Sequence, residues 1–111
     1  MGYSVRVTSS AHESVISSVG YIAEVCSAPR AAVRLLDSYE VALESLHSNP
    51  TFNPVNASAS RRLGRNIYRK RAGSYFLYYF VDENTSEVVV FSFLHRRQDA
   101  SAHLIWDYES S

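Results

Sequence analysis

The chain is predicted to fold as a two-layer α+β domain, ordered β-α-α-β-β-β, with an antiparallel sheet packed on an αα-hairpin. Three observations predict it. Residues 75–94 read as two strongly apolar, β-rich runs, Tyr75 to Val81 and Val88 to Leu94, around the polar break from Asp82 to Glu87, which is the pattern of a buried hairpin. Between Val15 and Leu46 apolar residues recur at steps of three and four, the spacing of one face of a helix. Near the start, Tyr3, Val5 and Val7 alternate with Ser4, Arg6 and Thr8, as in a strand buried on one side.

Each element has its own signals. The first strand is read over Tyr3–Thr8. Ser10 followed by Glu13 has the spacing of a capping box and is read as opening a helix. Val15, Val19, Ile22 and Cys26 then fall on its inner face, with Gly20 costing up to ~1 kcal/mol against Ala at mid-helix. Ser27-Ala28-Pro29 ends that pattern, and Pro29 suits the first turn of a second helix. Ala32, Leu36, Tyr39, Leu43 and Leu46 carry its stripe to about residue 48. So short a link makes the two helices antiparallel neighbours. The stretch Asn49 to Ser60 holds Pro50, Pro54 and several Asn and Ser, and reads as a loop. A strand is read over Leu63–Arg71, and Ala72-Gly73 as a tight turn into the hairpin. The segment Ala100 to Trp106 reads as a short helix or an extended arm. One helical hairpin covers one sheet face, so the other face is expected to stay partly open to a ligand or partner.

At 111 residues the chain reads as one domain, 1–111, able to bury a modest core. No apolar run reaches the ~20 residues of a membrane span, and the N-terminus lacks a signal-peptide core. The single cysteine, Cys26, excludes an internal disulfide framework. It is read as a buried free thiol in a cytoplasmic protein. Four scattered His offer no metal-ligand spacing, and no Gly-rich phosphate cradle is present, so neither metal nor cofactor is expected.

The formal charge is zero, yet six of eleven basic residues lie in 61–71: Arg61, Arg62, Arg65, Arg69, Lys70 and Arg71. Arg96 and Arg97 add two more beside His95, where the last strand meets solvent. A protein devoted to holding nucleic acid is usually net positive. The zero balance argues against that class and points to local binding patches. Arg61, Arg62, Arg65, Arg69, Lys70, His95, Arg96 and Arg97 are the candidate binding residues. Read as strand, Arg61, Arg65, Arg69 and Arg71 share one face and Arg62 and Lys70 the other. The bland reading is a solvated edge that discourages aggregation. His95 with Arg97 could instead exchange a proton with a ribose hydroxyl and hold a phosphate. Glu40 and Glu44 are four apart and read as the solvated side of the second helix. Tyr75, Tyr78 and Tyr79 read as core rather than as a base-stacking platform.

The ordered set, from the β-α-α-β-β-β succession through Tyr68-Arg69-Lys70 and Tyr75–Val81 with Asp82 and Glu83 to His95-x-Arg97-x-Asp99, resembles the RelE/ParE superfamily of bacterial type II toxins. The resemblance implies a growth inhibitor neutralised by a cognate antitoxin, with operator DNA reached only through that antitoxin. It implies either a RelE-like nuclease that cuts mRNA on the ribosome or a ParE-like protein without nuclease activity that acts on DNA gyrase. Nuclease members place an Arg after the Tyr that opens the third strand, where it can stabilise a phosphorane. Here Phe76 follows Tyr75. That substitution, the His-x-Arg-x-Asp ending and the zero charge favour the ParE-like branch. If the chain is a nuclease, its candidate groups are His95, Arg97 and Arg65. A third reading is a non-toxic module that binds the antitoxin and acts as co-repressor.

Overall fold

The computed structural model describes residues 2–110. Strand β1 (Ser4–Val7) leads into helix α1 (Ser9–Gly20), which runs on as a π-helical turn over Tyr21–Val25. Helix α2 (Pro29–Ser45), a single 3-10 turn at Pro50–Phe52 and helix α3 (Ala57–Leu63) follow. The meander β2 (Tyr68–Ala72), β3 (Tyr75–Asp82) and β4 (Glu87–His95) ends in helix α4 (Ala100–Glu109). The sheet order is β1-β4-β3-β2, with β1 parallel to β4 and the other pairs antiparallel. The expected α+β fold, with its helical hairpin on one sheet face, is therefore present, but the sheet is mixed rather than antiparallel, because the chain returns through α1, α2 and the meander to lay β4 parallel to β1.

Several local readings change. Thr8, not Ser10, caps α1, its hydroxyl accepting the Ala11 N–H at 3.2 Å. Any residue with a short side-chain acceptor serves there, and Thr8 is placed by the end of β1. Cys26 is exposed rather than buried. The π turn, closed by Cys26 N–H to Tyr21 O at 3.1 Å, inserts an extra residue per turn and rotates position 26 off the inner face. In α2 the buried stripe is Ala32, Leu35, Tyr39, Ala42 and Leu46, whereas Leu36 stands 38% exposed. The 49–60 loop contains the start of α3, whose cap Asn56 accepts the Ala59 N–H at 2.9 Å. Gly64 ends α3 at φ +72°, the left-handed position that glycine occupies without a steric cost. Arg61 and Arg62 thus sit on a helix, and strand parity does not apply to them. The tail is a helix, its N-cap Asp99 accepting the Ser101 N–H at 3.1 Å.

The second sheet face is not open. Phe76, Tyr78, Phe91 and Leu94 point to it and pack with Ala59 of α3, Ile67 and Leu104 of α4. Leaving that much aromatic surface in water costs roughly 25 cal/mol per Å², so the chain covers it with its own tail. The larger core, on the opposite face, joins Ala11 and Val15 of α1, Leu35 and Tyr39 of α2, and Leu77, Tyr79, Val88, Val90 and Phe93 of the sheet. Tyr79 also pins the loop after α2. Its hydroxyl donates to Pro50 O at 2.5 Å and accepts from Asn53 Nδ2 at 2.7 Å. Among the described residues no helix is long and apolar enough to cross a membrane.

A bulge sets the orientation of the strand end that matters most. Tyr78 pairs Ser92 but Tyr79 pairs Val90, leaving Phe91 as the extra residue of β4. Before the bulge, Val88 and Val90 face α1 and α2; after it, Phe93 does. Phe91 and Ser92 both turn to α4, where Phe91 meets the Tyr108 ring edge-on and the Ser92 hydroxyl donates to Asp107 Oδ2 at 2.6 Å. A bulge re-aims everything beyond it. His95, two residues past Phe93, is thereby directed to the α1–α2 side instead of toward α4.

Candidate functional site

The eight candidate residues do not form one cluster. Arg65 lies at the far end of β3, its guanidinium 4.0 Å above the Phe80 ring centroid and its Nη2 donating to Val81 O at 3.3 Å. His95 pairs with Tyr75 at the opposite end of the same strand. The five residue steps from Tyr75 to Phe80 span about 17 Å of strand. The structure therefore brings His95, Arg96 and Arg97 together and leaves Arg65 at the other end of the sheet. Arg69 sits between them, stacked 4.8 Å from the Phe76 centroid. Burial raises the Tyr78 hydroxyl above its ordinary pKa, with the neighbouring Arg69 charge and hydrogen bond opposing. Lys70 is half-buried on the α1–α2 side, and Arg61 and Arg62 are exposed on α3.

The stretch His95 to Asp99 is a self-bonded turn. Arg96 N–H donates to Ser74 O at 2.8 Å, tying it to the β2–β3 turn. Gln98 closes the loop twice, its N–H reaching His95 O at 2.9 Å and its Oε1 accepting the His95 N–H at 2.8 Å. His95 Nδ1 accepts the Arg97 N–H at 3.1 Å. Asp99 caps α4. The polar atoms of His95, Gln98 and Asp99 thus bond backbone groups of this exposed turn, while the Arg96 and Arg97 side chains are exposed with no ion pair among the described residues. The His95 bond has a chemical consequence. With Nδ1 accepting, the neutral ring carries its proton on Nε2. The basic nitrogen faces the protein's own backbone, and the free one is a donor.

Beside His95 a cavity of about 560 Å³ opens between α2 and the Tyr75–His95 end of the sheet. Tyr75 stacks on Phe93, with centroids 4.9 Å apart, and meets His95 edge-on at 5.0 Å, so both rings are held in place. The wall opposite includes Arg34 of α2, and Cys26 lies on the rim. Arg34 was not legible as a site residue. It precedes the buried Leu35, and only the tertiary packing of α2 against the β2–β3 turn shows that it lines the same cavity as His95. Among the described residues no group of three His, Cys, Asp or Glu could hold a metal ion.

Residues 5–100 match the family model described as the ParE toxin of type II toxin–antitoxin system, parDE. The chain belongs to the ParE toxin family. It is a toxin of a type II toxin–antitoxin system, within the RelE/ParE superfamily that the sequence resembles. No curated protein matches it significantly in sequence. Among solved structures it is similar to the toxin–antitoxin complex RelBE2 from Mycobacterium tuberculosis, at 23% identity and a TM-score of 0.57, over 86% of this chain and 100% of that one. At that identity the likeness concerns the fold. The strand-end His95-x-Arg97-x-Asp99 resolves into distinct parts: a ring that braces the turn, a cation for the surface and a helix cap.

Proposed function

We propose that this toxin inhibits growth by binding a protein target, DNA gyrase, without cutting RNA, and that a cognate antitoxin neutralises it by covering the His95–Arg97 end. The carrying observation is the state of His95. A general base for ribose 2′-OH attack needs a free lone pair within reach of the substrate. The lone pair at Nδ1 is already used by the Arg97 N–H at 3.1 Å. Phe76 supports the same reading. It occupies the position of the phosphorane-stabilising Arg expected in nuclease relatives, and it is packed into the second core. Membership of the ParE toxin family supports the choice of gyrase as the target. The solved relative RelBE2 is a toxin–antitoxin complex, which supports an antitoxin partner. That partner presents acids to exposed cations such as Arg96 and Arg97, which have no ion pair among the described residues, and complementary charge of this kind gives steering and specificity.

Pulse-labelling of cells just after induction tests the reading. An early stop in DNA synthesis with an SOS response is expected. An early stop in protein synthesis with fragmented mRNA, abolished by His95→Ala, would overturn it in favour of the ribosome-dependent nuclease. No growth defect with antitoxin binding intact would leave the co-repressor module.

A further inference from the structure

We propose that the cavity between Arg34 and His95 is a receptor for one carboxylate side chain, a Glu or Asp on an apolar segment of a protein partner. This rests on the reading that the His95 end is a binding surface. At about 560 Å³ the space lies in the range of sites that enclose a small ligand or a side chain or two. Its composition is one-sided. Ile22, Leu35 and Tyr75 give apolar wall, Arg34, Ser74 and His95 give polar groups, and no Asp or Glu lines it. Arg34 has neither a carboxylate nor a hydrogen-bond partner among the described residues. Its guanidinium fork matches a carboxylate in bidentate fashion. The Nε2–H left free on His95 supplies a further donor, because Nδ1 is held by the Arg97 amide.

The balance of wall and charge selects the ligand. A nucleic-acid backbone is held by a row of cations, one for each phosphate. This cavity offers a single permanent charge set among apolar side chains. A carboxylate at the end of an aliphatic stem uses both features, the stem against Ile22 and Leu35 and the head on Arg34. The bulge at Phe91 is part of the device, since without it His95 would face α4 and the cavity would lose its ring donor.

The test uses the whole toxin and two synthetic peptides, acetyl-Ala-Leu-Glu-Leu-Ala-amide and its Gln counterpart, followed by heteronuclear NMR. The Glu peptide is expected to shift the Arg34 Nε, Ser74 and His95 resonances and to slow alkylation of Cys26, the chain's single thiol. The Gln peptide should bind at least about tenfold more weakly, the loss of one charge-assisted pair. Arg34→Gln should erase the difference between the peptides. Arg34 is on the surface of α2, so this variant keeps the fold, and unchanged resonances of Leu77 and Tyr79 verify that. Equal binding of the two peptides, shifts confined to Arg96 and Arg97, or stronger competition by an oligouridylate than by the Glu peptide would each overturn the proposal. Any of these results could coexist with growth inhibition, whereas a non-toxic protein that binds the Glu peptide would overturn the toxin mechanism and leave the cavity's role standing.

Discussion

The two ends of β3 carry the same residue types in opposite conditions. At the Val81 end, Arg65 is seated on Phe80 and bonded to a backbone carbonyl. Its charge is satisfied by the fold itself. At the Tyr75 end, the backbone of His95 to Gln98 is held by hydrogen bonds while Arg34, Arg96 and Arg97 have no carboxylate partner among the described residues. Rigid backbone with unspent side-chain charge is the condition of a binding site; charge consumed by aromatic rings and carbonyls is the condition of a structural one. Counting arginines cannot separate the two. Their partners can.

Variants at each end test that distinction. The largest effect belongs to the second core, on which the Arg65 seat depends. Phe91 is fully buried and meets both Phe80 and Tyr108. Phe91→Ala should lower unfolding free energy by about 3–5 kcal/mol, measured by urea denaturation. A loss below about 1 kcal/mol would mean that α4 is not docked on β4 as described. The next effect concerns the other end. Arg96→Glu with Arg97→Glu should leave stability nearly unchanged and weaken antitoxin binding roughly 30- to 100-fold, as reversal of two surface charges facing acids allows. Calorimetric titration with the antitoxin reads this directly. Unaltered affinity would remove the His95 end from the interface.

Much of this architecture was legible, and the parts that were not have physical causes. The hairpin was visible because β3 and β4 are apolar on both faces; that same property hid the bulge. In Val88-Val89-Val90-Phe91-Ser92-Phe93-Leu94 no polar alternation marks where the phase slips, so the face reached by His95 could not be read. Helix α3 was hidden by its Asn-, Ser- and Ala-rich composition, although its cap Asn56 and terminator Gly64 stood in the sequence. It is short and buries only Ala59 fully. Cys26 was misplaced because a 3.6-residue period was carried through a π turn. Arg34 was missed because a helix residue becomes a site residue only by what packs opposite it.

A smaller effect tests how the scaffold holds the loop that follows α2. Tyr79 is completely buried, and burial pushes its phenol up to about 12 from the ordinary value of 10.0. Tyr79→Phe leaves Pro50 O and Asn53 without their partner, a cost of about 1–2 kcal/mol. The same phenol makes stability depend on alkaline pH. The folded state holds the proton more tightly than the unfolded chain, so its contribution is complete below pH 10.0 and declines as the pH rises to about 12. Burial raises Tyr39 and Tyr78 as well, and they act in the same direction. The wild type should therefore lose stability over that window, and Tyr79→Phe should lose less.

The smallest effect sharpens the contrast most. Arg65→Gln removes a guanidinium from the Phe80 face and from Val81 O. A half-exposed cation–π contact with one long hydrogen bond contributes about 0.5–1 kcal/mol, so thermal denaturation should register a small but measurable decrease. Growth inhibition and antitoxin affinity should not change, because this guanidinium is already occupied within its own fold. Arg34→Gln should show the reverse pattern, with stability preserved and binding impaired. If Arg65→Gln abolished growth inhibition at intact stability, the charge at the Val81 end would be acting outward despite its aromatic seat, and the two ends would form a single extended surface along β3.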